Sequence, residues 1–357
     1  MRWLAIVVAV LLAVVAGLYG VGYFVLPSAL KVERTVTVER PRAAVFGVLN
    51  NLRTFNEWSP WSAADPDAVY TFEGESGVGQ SARWTTKNGG VGSGEQTIVR
   101  SVDNQRVETE VDFGQRGKAK IAWVLEKAPA GTLVTWSMNS DCRRSPMYDV
   151  PCRYMNLMSK SAIEADYESG LTRLKALVEQ LPAVDFEALQ PEFLNAEPMD
   201  YAFVENDVTR DAAPEGAPPE AAAEADATYS TRVSTAISES LTVVAARLGE
   251  TGATVSGPPV MVTVSADQDR MVFRAGYPFQ GGAPAGDPRV ALGHTPQGRA
   301  LKFVHAGPSQ TMRQTYLMIG AYLAANRIQA AGGPWEIHTR PTGEPATQRR
   351  EIYIPIR

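Results

Sequence analysis

The chain has 357 residues, 45% of them hydrophobic, with 34 basic and 39 acidic side chains and a formal charge of −5. This composition excludes an intrinsically disordered chain, and the lack of a basic excess excludes an electrostatic grip on nucleic acid. Two cysteines are too few for a disulfide-built scaffold, and the length suits two domains.

The run from Trp3 to Val25 is apolar and carries no charge. Its 23 residues would rise roughly 34 Å as a helix, against a hydrocarbon core of about 30 Å. A cleaved secretory signal has an apolar core of about 7–15 residues and a small-x-small cleavage site. This run is longer and holds no Ala-x-Ala, so residues 1–30 read as an uncleaved transmembrane anchor. Tyr19, Tyr23 and Phe24 cluster at its far end, as aromatic residues do at membrane interfaces. Arg2 precedes the run, while Lys31 and Arg34 come after it with Glu33 between them, so loop charge does not set its orientation. Its place at the extreme N-terminus favours export of the long C-terminal part. So does the segment DCRRSPMYDVPC, in which Cys142 and Cys152 can close a short disulfide loop outside the cytosol. Two separate thiols in a reducing compartment are the alternative. The expected location is the inner (cell) membrane, by a single N-terminal pass, with the soluble domains periplasmic.

Residues 32–181 read as the first domain. VERTVTVE, residues 32–39, alternates as a half-buried strand, and Pro41 opens a helix through AAVFGVLNNL. After NEWSPW, residues 56–61, come six short strands with Gly-rich turns: VYTFEG, QSARWTTK, GEQTIVRSV, RVETEVDF, KAKIAWVLE and GTLVTWSM. A long helix closes the domain, with Tyr154, Leu157, Met158, Tyr167, Leu171, Leu174, Val178 and Leu181 on one stripe. A curved sheet gripping one helix is an α+β layout with room for an apolar ligand. Trp58, Trp61, Trp84, Trp123 and Trp136 either line such a cavity or pack as plain core. This domain has no histidine, so no Ser-His-Asp or Cys-His arrangement can form, and its acids sit mainly in alternating strands.

NEWSPW, then EGESGVGQ, ARW and VGSGEQTIV, resemble in order and spacing the START-like superfamily called SRPBCC, in its polyketide cyclase/dehydrase and lipid-transport branch. The resemblance covers about 150 residues. It implies a helix-grip fold around a cavity for lipids or other hydrophobic molecules, in a family of both binders and enzymes. The Cys142–Cys152 segment departs from the family pattern as a local elaboration.

Residues 182–198 read as a linker. Further on, Asp207–Ala227 is rich in Ala, Pro and Glu with few large apolar side chains, which predicts a mobile loop. The rest of the chain from 199 to 357 repeats itself. A helix in STRVSTAISESLTVVAARL, then GATVSGPPVMVTV and the strand RMVFRAGYPF, is echoed by SQTMRQTYLMIGAYLAANRI, QAAGGPWEIHT and REIYIPI. Pro259 and Pro334 are equivalent. The repeat implies a duplicated, antiparallel βαββ arrangement with a cleft at the seam. HAGPSQTMRQTY, GGPWEIHT and REIYIPI resemble the gyrase-inhibitor-like (GyrI-like) effector-binding domain. That domain occurs alone and in bacterial activators of the AraC and MerR types. The resemblance implies a cleft for small aromatic or cationic molecules with a central glutamate, a role that falls to Glu351. The acidic loop then interrupts the first repeat and either covers the cleft or hangs free of it.

Alternation in REIYIPI puts Glu351 and Tyr353 on one face, and Phe273 shares a face with Tyr277 in RMVFRAGYPF. If these faces meet, aromatic rings frame a carboxylate that a cation would neutralise. Otherwise Glu351 pairs with Arg349, Arg350 or water. Trp335, in the Gly-Pro-Trp turn, is a further candidate. His305 ends LKFVH before a Gly-Pro turn and either borders the cleft or serves as a structural hydrogen-bonding residue. His294, His305 and His338 do not match a compact metal motif. No metal or cofactor is expected, and no DNA-binding half is present. The sequence thus predicts a membrane-anchored tandem small-molecule-binding protein. Its first cavity would take a hydrophobic or lipid-like ligand and its C-terminal cleft a small aromatic or cationic one. The alternatives are an enzyme (a cyclase, dehydratase or hydrolase) with Glu351 as general base, and a structural envelope protein that binds a protein partner through the acidic loop.

Overall fold

The computed structural model describes residues 2–87, 92–114, 117–143, 146–211, 219–267, 269–282, 287–340 and 348–357. Residues 1–187 with 324–326 form one unit, and residues 188–323 with 327–357 form a second.

In the first unit, α1 (Arg2–Phe24) is long and apolar enough to cross a membrane, and its large apolar side chains are exposed. After β1 (Ala29–Val38), Pro41 sits at the cap of α2 (Arg42–Leu49), where its missing N–H leaves no helix bond unmade. The Asn51 side chain accepts from Arg53 N at 3.1 Å and starts α3 (Leu52–Trp58). Ser59 accepts from Ser62 N at 3.4 Å and starts α4 (Pro60–Ala64), with Pro60 in the first turn. Then come β2 (Val69–Glu73), β3 (Ser81–Thr85), β4 (Gly94–Val102), β5 (Arg106–Asp112), β6 (Lys118–Ala128), β7 (Gly131–Asp141) and α5 (Pro146–Val178). The seven strands form an antiparallel sheet in the order β1-β7-β6-β5-β4-β3-β2.

Strict alternation makes this sheet two-faced. Ala119, Ile121, Trp123 and Leu125 of β6 are buried, as are Thr132, Val134 and Trp136 of β7. The second half of α5 covers that face with Tyr167, Leu171, Leu174 and Val178, spaced by three and four residues. The sequence stripe extends further back than the core does. Leu157 and Met158 are 60% and 79% exposed, because the first half of α5 packs on α1 instead of on the sheet. There a Cβ added to Gly22 would meet Val150 and Tyr154. Cys142 and Cys152 are joined, tying the end of β7 to the start of α5.

The second unit contains β8 (Glu192–Ala196), β9 (Asp200–Thr209), α6 (Pro219–Glu250), β10 (Thr254–Val255), β11 (Val260–Ala266) and β12 (Arg270–Gln280). It continues with β13 (Ala291–His294), β14 (Gly298–Ala306), α7 (Met312–Ala325), β15 (Trp335–Arg340) and β16 (Arg349–Pro355). Its sheet runs β13-β9-β12-β11-β15-β16-β14-β8, with β10 paired to β12. The two central strands are antiparallel, pairing Val260 with Ile337, Met261 with Glu336 and Val262 with Trp335. Helix α6 packs Val244 and Leu248 on Ala202, and Val233 and Ile237 on Phe273 and Ala275. Helix α7 packs Met312 and Ile319 on Phe303, Ile352 and Ile354.

The segment Asp207–Ala227 is not one loop. Asp207 to Thr209 belong to β9, and α6 begins at Pro219; residues 212–218 lie outside the described residues. Three of its described acids, Asp207, Asp211 and Asp226, have arginine partners. Asp207 pairs with Arg270 at 2.6 Å, while Asp226 pairs with Arg210 at 2.8 Å and also with Arg313. Its alanines are strong helix formers once α6 has begun. Composition counts the charges in this segment but not Arg270 and Arg313, which come to it from β12 and α7.

Gly170 tests how α5 is seated. An added Cβ would lie 2.6 Å from Trp136 Cζ3 and 3.1 Å from Pro60 Cδ. Gly170→Ala is expected to lower the unfolding midpoint through overpacking of about 1–3 kcal/mol, outweighing the roughly 1 kcal/mol that alanine adds to a helix. Gly249→Ala in α6 has nothing within 4 Å and is expected to raise it slightly. Thermal melts of the detergent-solubilised chain, followed by near-ultraviolet circular dichroism, separate the two.

Candidate functional site

The sheet and α5 enclose a cluster of aromatic rings. Trp58 ends α3, Trp61 lies in α4, Trp123 and Trp136 face each other across β6 and β7, and Tyr167 comes from α5. Tyr167 stacks on Trp136 with centroids 3.9 Å apart. Trp58 meets Trp136 edge-on at 5.3 Å, Trp61 meets it at 5.9 Å, and Trp123 stacks on it at 5.8 Å. Phe55 closes on Trp58 at 4.9 Å. Such contacts contribute about 0.5–1.5 kcal/mol per pair beyond area burial. Of the sequence candidates, Trp58, Trp61 and Trp136 come together here. Trp84 does not. It stacks with Tyr70 and donates to Gly92 O at 2.8 Å, near the edge of the sheet.

The polar atoms of the cluster set it apart from ordinary core. Trp61 Nε1 donates to Asp166 at 3.2 Å. The indole N–H groups of Trp58, Trp123 and Trp136 and the Tyr167 hydroxyl are buried with no hydrogen-bond partner. Burial pushes the Tyr167 phenol well above its usual range, so it stays a protonated donor. Each buried donor without an acceptor costs about 1–3 kcal/mol. A mixed groove of about 370 Å³ also lies against β1, β5, β6 and β7, where Lys31, Glu33, Glu108, Glu110 and Lys120 accompany Val32, Val99, Ile121 and Met138.

In the second unit the sequence candidates separate. Phe273 and Tyr277 face α6, whereas Glu351 and Tyr353 lie on the sheet face opposite α7, since Ile352 and Ile354 of the same strand pack on α7. The expected frame of all four around one carboxylate therefore does not form. Trp335 stacks on Tyr353 at 4.8 Å, and the Tyr353 hydroxyl donates to Glu351 at 2.8 Å. Burial, followed by the neighbouring Glu351 charge, raises the Tyr353 phenol. His305 is buried against α7, with Nδ1 2.8 Å from Thr315 Oγ1 and Nε2 3.3 Å from Pro308 O, as a structural histidine would be.

The buried carboxylate is Glu336, on β15 beside the centre of the sheet and 2% exposed. Tyr316 of α7 donates to it at 2.7 Å, Arg350 lies at 3.4 Å and His338 Nε2 at 3.3 Å. Arg350 also donates to Ser309. Burial alone would raise the Glu336 carboxyl. The His338 and Arg350 contacts and the Tyr316 hydroxyl more than offset that, so it lies below the usual range. Burial and the Glu336 charge together hold the Tyr316 phenol high. The signal for Glu336 is present in WEIHT, whose alternation sets Glu336 and His338 opposite Trp335. Among the described residues no group of three or more His, Cys, Asp or Glu side chains could hold a metal ion.

Residues 29–179 match the family described as polyketide cyclase / dehydrase and lipid transport, whose domains bind hydrophobic ligands. Among curated proteins no match is found. Solved structures similar to parts of the chain include protein CV1439 from Chromobacterium violaceum, at 15% identity and TM-score 0.32, covering 43% of this chain and 99% of that one. Protein SA2116 from Staphylococcus aureus aligns at 14% identity and TM-score 0.34, covering 43% of this chain and 94% of that one. The C-terminal domain of EcmrR aligns at 12% and 0.34, covering 47% and 98%.

The Glu336 network makes a pH prediction. A carboxyl held low in the folded state adds stability above its unfolded value of about 4.3 and loses it as pH falls through the lower folded value. Glu336→Gln leaves the partly buried Arg350 without its counterion. It is expected to lower stability at neutral pH by about 3–5 kcal/mol and to flatten the fall in stability below about pH 4. Urea unfolding across a pH series measures both.

Proposed function

We propose that this chain is a membrane-anchored small-molecule-binding protein whose first unit holds a hydrophobic ligand carrying at least one acceptor oxygen. The observation that carries this reading is the set of four buried, unpartnered donors on Trp58, Trp123, Trp136 and Tyr167 inside an aromatic cluster. A guest that brings an acceptor into the cluster satisfies groups that the protein leaves unpaired, while its apolar body gains contact with the rings. The family match over residues 29–179 points to the same ligand class.

Helix α1 serves as the anchor. Its contacts with α5 through Gly22 and Tyr154 favour a retained helix over a cleaved signal. The Cys142–Cys152 bond favours soluble units on the extracytoplasmic side. The second unit is read as a GyrI-like binding module for a small aromatic or cationic molecule. Glu351 has a neutral phenol as its hydrogen-bond partner beside the Trp335–Tyr353 stack, and this combination attracts a cation. Glu336 is already balanced by Arg350. Catalysis by Glu351 as general base is the competing reading, and it gains only if Glu351→Gln abolishes a turnover while the fold survives.

The ligand reading is tested by native mass spectrometry of the full chain released from nanodiscs. The expected result is a co-purifying amphiphile whose retention falls in Tyr167→Phe. The ligand-free Tyr167→Phe protein is expected to be more stable than wild type by about 1 kcal/mol, since an unpaired buried hydroxyl is gone. Absence of any bound small molecule from the wild-type chain, together with no thermal shift across fatty acids, isoprenoids and aromatic polyketides, would overturn the reading.

A further inference from the structure

The first half of α5 carries a surface that neither the aromatic cluster nor the sheet explains. Tyr148 and Met155 are both 67% exposed, Leu157 is nearly as open and Met158 more so. Between Tyr148 and Ser159 the only charges are Asp149 and Arg153, and these are buried against each other at 2.7 Å. The first exposed charge on this helix is Lys160. A solvent-facing helix surface with no charge over three turns is unusual in water.

Its position relates it to the anchor. Tyr154 donates to Leu18 O at 2.8 Å, and the Gly22 backbone lies against Val150 and Tyr154. These α1 contacts fall inside the apolar run, up to six residues before its last helical residue, Phe24, or about 9 Å at the rise of an α-helix. Arg153 donates to Tyr23 O at 2.7 Å and Leu26 O at 2.9 Å, and its guanidinium lies 5.2 Å from the Tyr23 ring. It thereby satisfies carbonyls that a helix C-terminus leaves open, while Asp149 balances its charge. The neighbouring Cys152 is bonded to Cys142, whose N–H donates to Ser28 O at 2.8 Å. The start of α5 is thus fastened to the end of α1.

We propose that the segment Tyr148–Met158 of α5 lies in the interfacial zone of the lipid bilayer beside α1, with Tyr148, Met155, Leu157 and Met158 among the acyl chains and Lys160 at the headgroups. This rests on the anchor reading of α1. The occupant is lipid, not another protein, because the surface is continuous with the lipid-facing side chains of α1 and the charge within it is internally neutralised. Interfacial helices bury an apolar face to about 5–10 Å, which matches the depth of the Tyr154–Leu18 contact.

The test uses the full chain in phosphatidylcholine–phosphatidylglycerol nanodiscs, spin-labelled at single introduced cysteines. The variants are Met155→Cys, Met158→Cys, Ser169→Cys further along α5, and Val10→Cys in α1. The relaxation effects of oxygen, which concentrates in lipid, and of the water-soluble nickel complex Ni(II)-EDDA report where each label sits. At 155 and 158 the oxygen-to-nickel ratio is expected to be several-fold higher than at 169 and to approach that at 10. Labels at 155 and 158 as nickel-accessible as the one at 169, with 10 still in lipid, would overturn this proposal alone. A water-accessible label at 10 would overturn the anchor reading as well. Labels at 155 and 158 shielded from both reagents and broadened by spin–spin coupling would mean that a second copy covers the face, which also overturns the proposal.

Discussion

Tyr167 lying flat on Trp136 is the contact on which the first unit depends. Centroids 3.9 Å apart require α5 to approach the sheet more closely than side chains usually allow. Gly170, three residues on and therefore on the same side of the helix, removes the Cβ that would collide with the Trp136 ring. Once α5 is held there, Trp58, Trp61 and Trp123 have no room except against Trp136. The cost of this closeness is visible in the same residues. Three indole donors and one phenol are sealed in without acceptors, and a purely structural core would favour Leu or Phe at such sites.

The architecture of this unit is legible in the sequence because its signals are local. Alternation in KAKIAWVLE and GTLVTWSM names the buried face, and Pro41 marks a helix start. The stripe on α5 is legible as a stripe but not as to what covers it. Leu157 and Leu171 keep the same periodicity, yet one faces outward and the other faces the sheet. Spacing says which residues share a helix side. It carries no information on where along its length the helix leaves the sheet.

The second unit shows the same limit for charge. Glu336 and Glu351 both lie in alternating strands, and resemblance directs attention to the one in the last strand. What distinguishes them is tertiary: α7 covers the face that holds Glu336, and its Tyr316 supplies a hydrogen bond that no local pattern encodes. The acids of 207–227 mislead for a related reason. Composition gives a net charge for a segment, whereas Asp207 and Asp226 respond to Arg270 and Arg313, brought beside them by β12 and α7, and Asp226 also to Arg210 just after β9.

Two ion pairs, the buried Asp149–Arg153 and the partly buried Glu336–Arg350, share a logic that explains why apolar side chains do not replace them. Desolvating both partners of such a pair offsets most of the Coulombic gain, so stability alone is a weak reason for either. Each arginine, however, has donors to spare. Arg153 directs its extra N–H groups to Tyr23 O and Leu26 O, and Arg350 reaches Ser309 at the turn into α7. In each case the carboxylate fixes the guanidinium, and the guanidinium then fixes a second backbone element. A leucine could fill the same volume but could not accept or donate, so the end of α1 and the start of α7 would lose their position before the fold lost much stability. Glu336 is committed in this way to holding its own strand, whereas Glu351 has only the neutral phenol of Tyr353 as its hydrogen-bond donor among the described residues.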